Sequence, residues 1–258
     1  LLIVGYYADI LKCTEVLCRQ HEDMKLMTTM DSTDPYSIIM DAIVTQKLPP
    51  SFKVSENILS DTFQISRAIA RNMMERLVAQ QFLVTQSARV TLVAPLTLLE
   101  IRQNFILRRM LLPEVIAIAG AKVDFDKIYR LNKKIEELIP FKDDDTALEL
   151  LKTNKELNLT LCEAAGYPLM IDWIRQLEDT AMRIYWLYVK TKKSFPYSSE
   201  QQGQILEVIR SDDNKRIHAC ISDMIMQTEE RVLKARVMMF PPAFCATSEK
   251  CAKGFVLA

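Results

Sequence analysis

The stretch SENILSDTFQISRAIARNMMERLVAQQFLV, residues 55–84, decides how the first part of this chain folds. It reads as a short amphipathic helix, a break, a second helix led by Ser66-Arg67, and the beginning of a run of β-formers. Ser55 is placed to cap the first helix, whose inward positions are Ile58, Leu59, Thr62 and Phe63. The break falls at Gln64 and Ile65. Ser66 is placed to cap the next helix, with Ile65 as a staple onto Ala70, and Ala70, Met73, Met74 and Leu77 follow the i, i+3, i+4, i+7 rule.

Upstream, YSIIMDAIVTQ (residues 36–46) puts Ile38, Ile39, Ala42 and Ile43 on one helical stripe, and Leu48-Pro49-Pro50 stops it. Downstream, FLVTQ and RVTLVA, parted by Ser87-Ala88, are rich in Val, Leu and Thr and predict a small β-hairpin. Three helices and a hairpin make a winged helix-turn-helix. If Ala70, Met73, Met74 and Leu77 face the core, then Arg67, Ala68 and Arg71 lie on the opposite side, near the start of the third helix. A helix in the major groove offers its first turn to base edges. There an arginine donates two hydrogen bonds to guanine, and Ser66 with the helix N-terminus favours a phosphate. The same two arginines also fit a solvated face of an ordinary amphipathic helix.

Charge does not decide between these readings. Lys plus Arg number 33 and Asp plus Glu 33, so no global basic field points to nucleic acid, and any DNA contact must come from a local patch. Residues 36–94 hold six basic side chains against four acidic ones, a modest local excess.

The remainder of the chain is helical in pattern. Helix-formers at 3.6-residue spacing fill most of it after residue 97, and glycine occurs only five times in 258 residues. The expected fold class is mainly α: a winged helix-turn-helix with a small hairpin, then an antiparallel helical bundle. Four segments follow: an N-terminal extension (1–34), the winged unit (35–95), a long helical unit (97–235) and a tail (236–258) containing FPPAF. The extension has an amphipathic flavour at Ile10, Leu11, Val16 and Leu17. Six cysteines without a C-x-x-C pair fit reduced thiols better than a disulfide framework. The apolar opening LLIVGYYA is far short of the roughly 20 residues of a membrane span, and it lacks the marks of a secretory signal. A cytoplasmic protein without membrane partners is expected. No nucleophile elbow, P-loop, H-E-x-x-H or dinucleotide fingerprint is present, and two histidines leave little for acid-base work, so an enzyme is not expected.

Over AIVTQKLPPSFKVSENILSDTFQISRAIARNMMERLVAQQFLV the sequence resembles, without a gap, the DNA-binding domain of GntR-type bacterial transcriptional regulators. The elements that carry the likeness are Leu48-Pro49-Pro50, Ser55-Glu56-Asn57-Ile58-Leu59-Ser60, Ile65-Ser66-Arg67 and Ala70-Arg71-Asn72-Met73-Met74. The resemblance implies that Arg67 and Arg71 are the principal DNA contacts, with Ser66 and Ala68 beside them. Asn57 stands where some relatives use an arginine, and Arg89 in the wing can reach the minor groove or a phosphate. The chain departs from the pattern in its turns: Ser51, Gln64 and Val90 stand where glycine is common.

The helical part resembles the ligand-binding and dimerisation domain of the FadR branch, the FCD domain. LTLLEIRQNFILRRMLLPEVIAIAGA is similar to its opening helix, with Arg109 at the arginine position, and LNLTLCEAAGYPLM to a later element that keeps Gly166 and Pro168. Many such domains hold a divalent metal on one Asp and three His. By resemblance those positions carry Asn154, Asn158, Gln202 and Met224. Amides and a thioether are poor ligands for first-row metals, so neither metal nor other cofactor is expected. His218 reads as a structural or surface histidine.

Asn154, Asn158 and Gln202 then either line an amide-rich cavity near Arg109, able to bind an organic acid or acyl-type effector, or satisfy one another in a filled core. Trp173, Tyr185, Trp186 and Tyr188 are open to the same two readings, as pocket wall or as core. The resemblance implies a homodimeric repressor on a pseudo-palindromic operator, switched by that effector. The competing reading is a helical sensor or interaction protein whose DNA binding has degenerated.

Overall fold

A computed structural model describes residues 34–87, 89–197 and 199–235, including the side chains of all but Ser199, Glu200 and Gln202. The expectations for the extension (1–33) and the FPPAF tail lie outside these residues. The chain divides between Pro95 and Leu96 into two compact units.

The first unit opens with α1 (Pro35–Val44), capped by Asp34 and started by a proline whose missing N–H costs a helix nothing at that position. Leu48, fully buried, donates its N–H to the Ala42 carbonyl at 2.9 Å and closes the turn before the two prolines. α2 (Glu56–Phe63) begins where the Ser55 hydroxyl accepts from the Ile58 N–H, 3.2 Å. It ends at Gln64, which takes the left-handed conformation (φ 52°) and donates from its own side chain to the Asp61 carbonyl, 2.6 Å. α3 (Arg67–Ala79) is capped by Ser66 in the same way as α2. Ile39, Leu48, Leu59, Ala70 and Leu77 form the shared core with Phe82 and Val93. Met73, Met74, Ile58, Thr62 and Phe63 sit at its edge, half-buried rather than fully inside. The Arg76 guanidinium lies 3.6 Å from the Tyr36 ring centre and ties α3 to α1.

The hairpin consists of β2 (Leu83–Ser87) and β3 (Val90–Val93), paired antiparallel with Leu83 opposite Val93 and a register shift between Thr85 and Ser87. Sequence patterning missed a further strand, β1 (Lys53–Val54), which pairs with β3 so that the sheet order is β1-β3-β2. Two residues are too few to show an alternation. Their role is to anchor the start of α2 to the sheet.

The second unit is helical throughout the described residues: α4 (Leu98–Ala119), a 3-10 turn (Gly120–Lys122), α5 (Phe125–Glu137), α6 (Asp144–Glu163), α7 (Pro168–Lys192), α8 (Ser199–Arg210) and α9 (Asn214–Lys234). Asp124, Asp143 and Asp213 cap α5, α6 and α9, and Thr97 with Glu100 forms a complete capping box at α4. α4 packs on α9 and α7, while α6 packs on α5 and α7. Short connections between packed neighbours give the antiparallel bundle expected from sequence. Gly120 is required: its φ is +50°, and a Cβ there would meet Asp212 Oδ1 at 2.4 Å. That oxygen accepts from the Ala121 N–H, 3.0 Å, and so joins the end of α4 to the turn before α9. No helix among the described residues is long and apolar enough to cross a membrane.

Candidate nucleic-acid interface and bundle cavity

In the first unit Arg67, Ala68 and Arg71 are all exposed at the start of α3, and Asn57 is exposed at the start of α2. Ser66 uses its hydroxyl as the α3 cap, with the Ile69 N–H donating at 3.2 Å. Its side chain therefore organises the helix end whose remaining N–H groups can meet a phosphate. Arg89 is exposed between the strands of the hairpin. Ser51 and Gln64 adopt positive φ (65° and 52°), so two positions where glycine was missed keep the backbone that glycine supplies. Val90 lies within β3 and needs no such conformation.

Sequence reading overlooked Glu56. It meets Arg71 in a bidentate pair, Nε to Oε1 at 2.8 Å and Nη2 to Oε2 at 3.1 Å. The Arg71 hydrogen bond, aided by the charges of Arg71 and Arg67, holds the Glu56 carboxyl below the usual carboxylate range. Arg71 thus reaches the surface with one edge engaged and its orientation fixed.

In the second unit the arginine inside the bundle is Arg108, not Arg109. Arg109 is partly exposed and pairs with Glu229 at 3.3 Å. The reason is helical phase: Ile101, Phe105 and Leu112 are buried on α4, and Arg108 continues their stripe while Arg109 is turned about 100° away. The Arg108 guanidinium meets Glu178 at 2.9 Å and the Tyr185 hydroxyl at 2.6 Å. Burial opposes the Arg108 charge, but Glu178 and Tyr185 override that effect and keep it protonated. The other Glu178 oxygen accepts from Asn158 Nδ2, 2.9 Å. Asn154 accepts from the Tyr197 hydroxyl, and Tyr197 packs edge-on against Phe195 and Tyr185. Desolvation pushes both tyrosine hydroxyls up, so they remain neutral donors.

Beside this network lies a narrow, partly open cavity. Its polar edge is Asn132, Asn158 and Tyr197; its apolar wall includes Leu112, Leu157, Ile221 and Met224. Asn158 and Met224 therefore line it. Asn154 touches it only through Tyr197, Arg109 is not part of it, and the side chain of Gln202 is outside the description. Of the amides, Asn158 bonds Glu178 and Asn154 bonds Tyr197. Tyr185, Trp186 and Tyr188 are core, whereas Trp173 is 53% exposed. His218 sits at the surface 3.7 Å from Glu114.

Of the positions that the resemblance aligns with metal ligands, Asn154 and Asn158 bond Tyr197 and Glu178. Among the described residues no group of three or more His, Cys, Asp or Glu side chains is placed to hold an ion.

The family model for the FCD domain matches residues 104–227. No curated protein matches the sequence. Among solved structures the chain is similar to McbR/YncC of E. coli at 16% identity and TM-score 0.64, covering 78% of this chain and 95% of that one. It is also similar to a GntR transcriptional regulator from Rhodococcus sp. RHA1, at 14% identity and TM-score 0.60, covering 78% and 96%. A third is Lar, described as controlling the agr system of Listeria monocytogenes, at 16% identity and TM-score 0.53, covering 80% and 99%. Likeness at these identities establishes the shared fold.

Proposed function

We propose, from the premise that the chain belongs to the GntR-type transcriptional regulators that carry an FCD domain, that it reads operator DNA through α3 and responds to a small molecule in the bundle cavity. The observation that carries the DNA reading is the exposed first turn of α3, where Arg67, Ala68 and Arg71 stand together above a buried Ala70 and Leu77. With its Nε edge held by Glu56, Arg71 offers the Nη1 side to a guanine, while Ala68 suits a thymine methyl. Arg89 and Asn57 take supporting roles on phosphate or groove. Arg67→Ala is expected to relax specificity at one base pair and to weaken specific binding by about 1–3 kcal/mol. An electrophoretic shift on fragments selected from the genome measures it, and equal affinity for all fragments would overturn the reading. Loss of all salt-dependent binding in the wild type would instead favour the degenerate-sensor reading.

A homodimer on a pseudo-palindrome follows from the same premise. Its support is an apolar stripe on α4, Leu99, Ile106, Leu107 and Met110, each at least 44% exposed. Repression is the simplest outcome: an effector that binds one arrangement of the dimer better than the other shifts the operator affinity by that difference.

A further inference from the structure

The polar groups of the bundle cavity differ from those an acid would need. Resting on the reading of that cavity as the effector site, we infer that it takes a small, uncharged, mainly apolar molecule that donates a hydrogen bond, through a hydroxyl or an amide N–H, to Asn132. No charged side chain lines the cavity. The charge of the buried Arg108 is paired with Glu178, its Nη1 bonds Tyr185, the other Glu178 oxygen accepts from Asn158, and neither Arg108 nor Glu178 lines the cavity. A carboxylate entering the cavity finds no unmatched cation and loses its hydration among leucines and isoleucines.

Acceptors, by contrast, are in excess. Asn132 is buried, and its Nδ2 donates to the Glu136 carboxylate at 3.4 Å, which fixes the amide orientation because a carboxylate only accepts. Its Oδ1 is left buried with no hydrogen-bond partner. The Tyr197 hydroxyl gives its proton to Asn154 and keeps a lone pair. A ligand hydroxyl or amide N–H satisfies Asn132 Oδ1, and an apolar body fills the space beside Met224, whose flexible thioether adapts to its shape.

Titration of the full chain at neutral pH with hexan-1-ol, hexanoate, hexylamine and methyl pentyl ether, by calorimetry and thermal melting, tests this. Hexan-1-ol is expected to bind about tenfold more tightly than the other three, reflecting one hydrogen bond and no charge desolvation. Asn132→Leu is expected to reduce the alcohol to the level of the ether, and Met224→Trp to weaken every probe by filling the cavity. The ranking on the wild type stands without either variant. Hexanoate or hexylamine binding as well as the alcohol overturns the ligand class while leaving the cavity as the site. Absence of binding by every probe, or binding unchanged in Met224→Trp, overturns the cavity reading itself.

Discussion

The two units each hold an arginine-glutamate pair, and the pairs differ in almost everything but chemistry. Arg71 and Glu56 are open to solvent, with side chains 64% and 36% exposed; Arg108 and Glu178 are sealed at 3% and 1%. In solvent such a pair is screened and contributes little to stability, so its use is geometric: it fixes an arginine while leaving it free to change partner. Inside the bundle neither member can be left alone, because a single buried charge costs more than the pair returns. One pair is an exposed brace that, on the proposed reading, orients Arg71 toward DNA; the other is an element of the core.

The largest effect expected from this contrast is at the buried pair. Glu178→Ala should destabilise the helical unit by about 3–5 kcal/mol, and the double variant Arg108→Met, Glu178→Leu by much less. Both tryptophans, Trp173 and Trp186, lie in α7, so denaturation followed by tryptophan fluorescence reports that unit alone. A double variant as unstable as the single one would show that the pair stabilises beyond its charge balance. Next in size is Gly120→Ala, where a forbidden backbone and the clash with Asp212 Oδ1 combine. A loss of roughly 1–3 kcal/mol in the same denaturation experiment is expected. If the chain pairs through the α4 stripe as proposed, Leu99→Glu with Met110→Glu is expected to halve the mass measured by light scattering while leaving the melting temperature of the unit in place; an unchanged mass would overturn that interface.

Smallest is the exposed pair. Glu56→Gln should barely move the denaturation midpoint yet reduce the ratio of specific to non-specific DNA affinity, since Arg71 loses its mount and the surface loses a negative charge. Its pH signature has a definite sign. The Glu56 carboxyl is held below its ordinary value of 4.5, so its contribution is present above that pH and is lost as pH falls through the lower, folded value. An NMR titration of the Glu56 carboxyl should show that low midpoint, and Arg71→Ala should return it upward.

The first unit was readable in the sequence because each of its signals is local. Ser55 and Ser66 cap the helices their positions suggested, and Ala70 and Leu77 turn inward as their spacing requires. Glu56 escaped notice since its partner lies 15 residues away, across the turn between α2 and α3. In the bundle the apolar stripes were legible but the polar residues riding on them were not weighed. Arg108 shares the stripe of Ile101, Phe105 and Leu112, Asn132 that of Ile128 and Ile135, and Glu178 that of Ile174 and Ala181. Arg109 was named from the family resemblance, whereas helical phase places Arg108 on the buried stripe. Tyr197 sits in the connection between α7 and α8, where no periodicity exists to reveal an inward side chain.

The winged unit turns its chain at Gln46, Ser51, Gln64 and Gln81, all left-handed and none of them glycine. Each such residue costs roughly 1–2 kcal/mol in the folded state, and its side chain narrows the choices of the unfolded chain. A glycine hinge would yield gradually under load. Gln64 is the corner that joins α2 to α3, and its side-chain bond to the Asp61 carbonyl braces it there, so when it gives way the two helices should part in a single step.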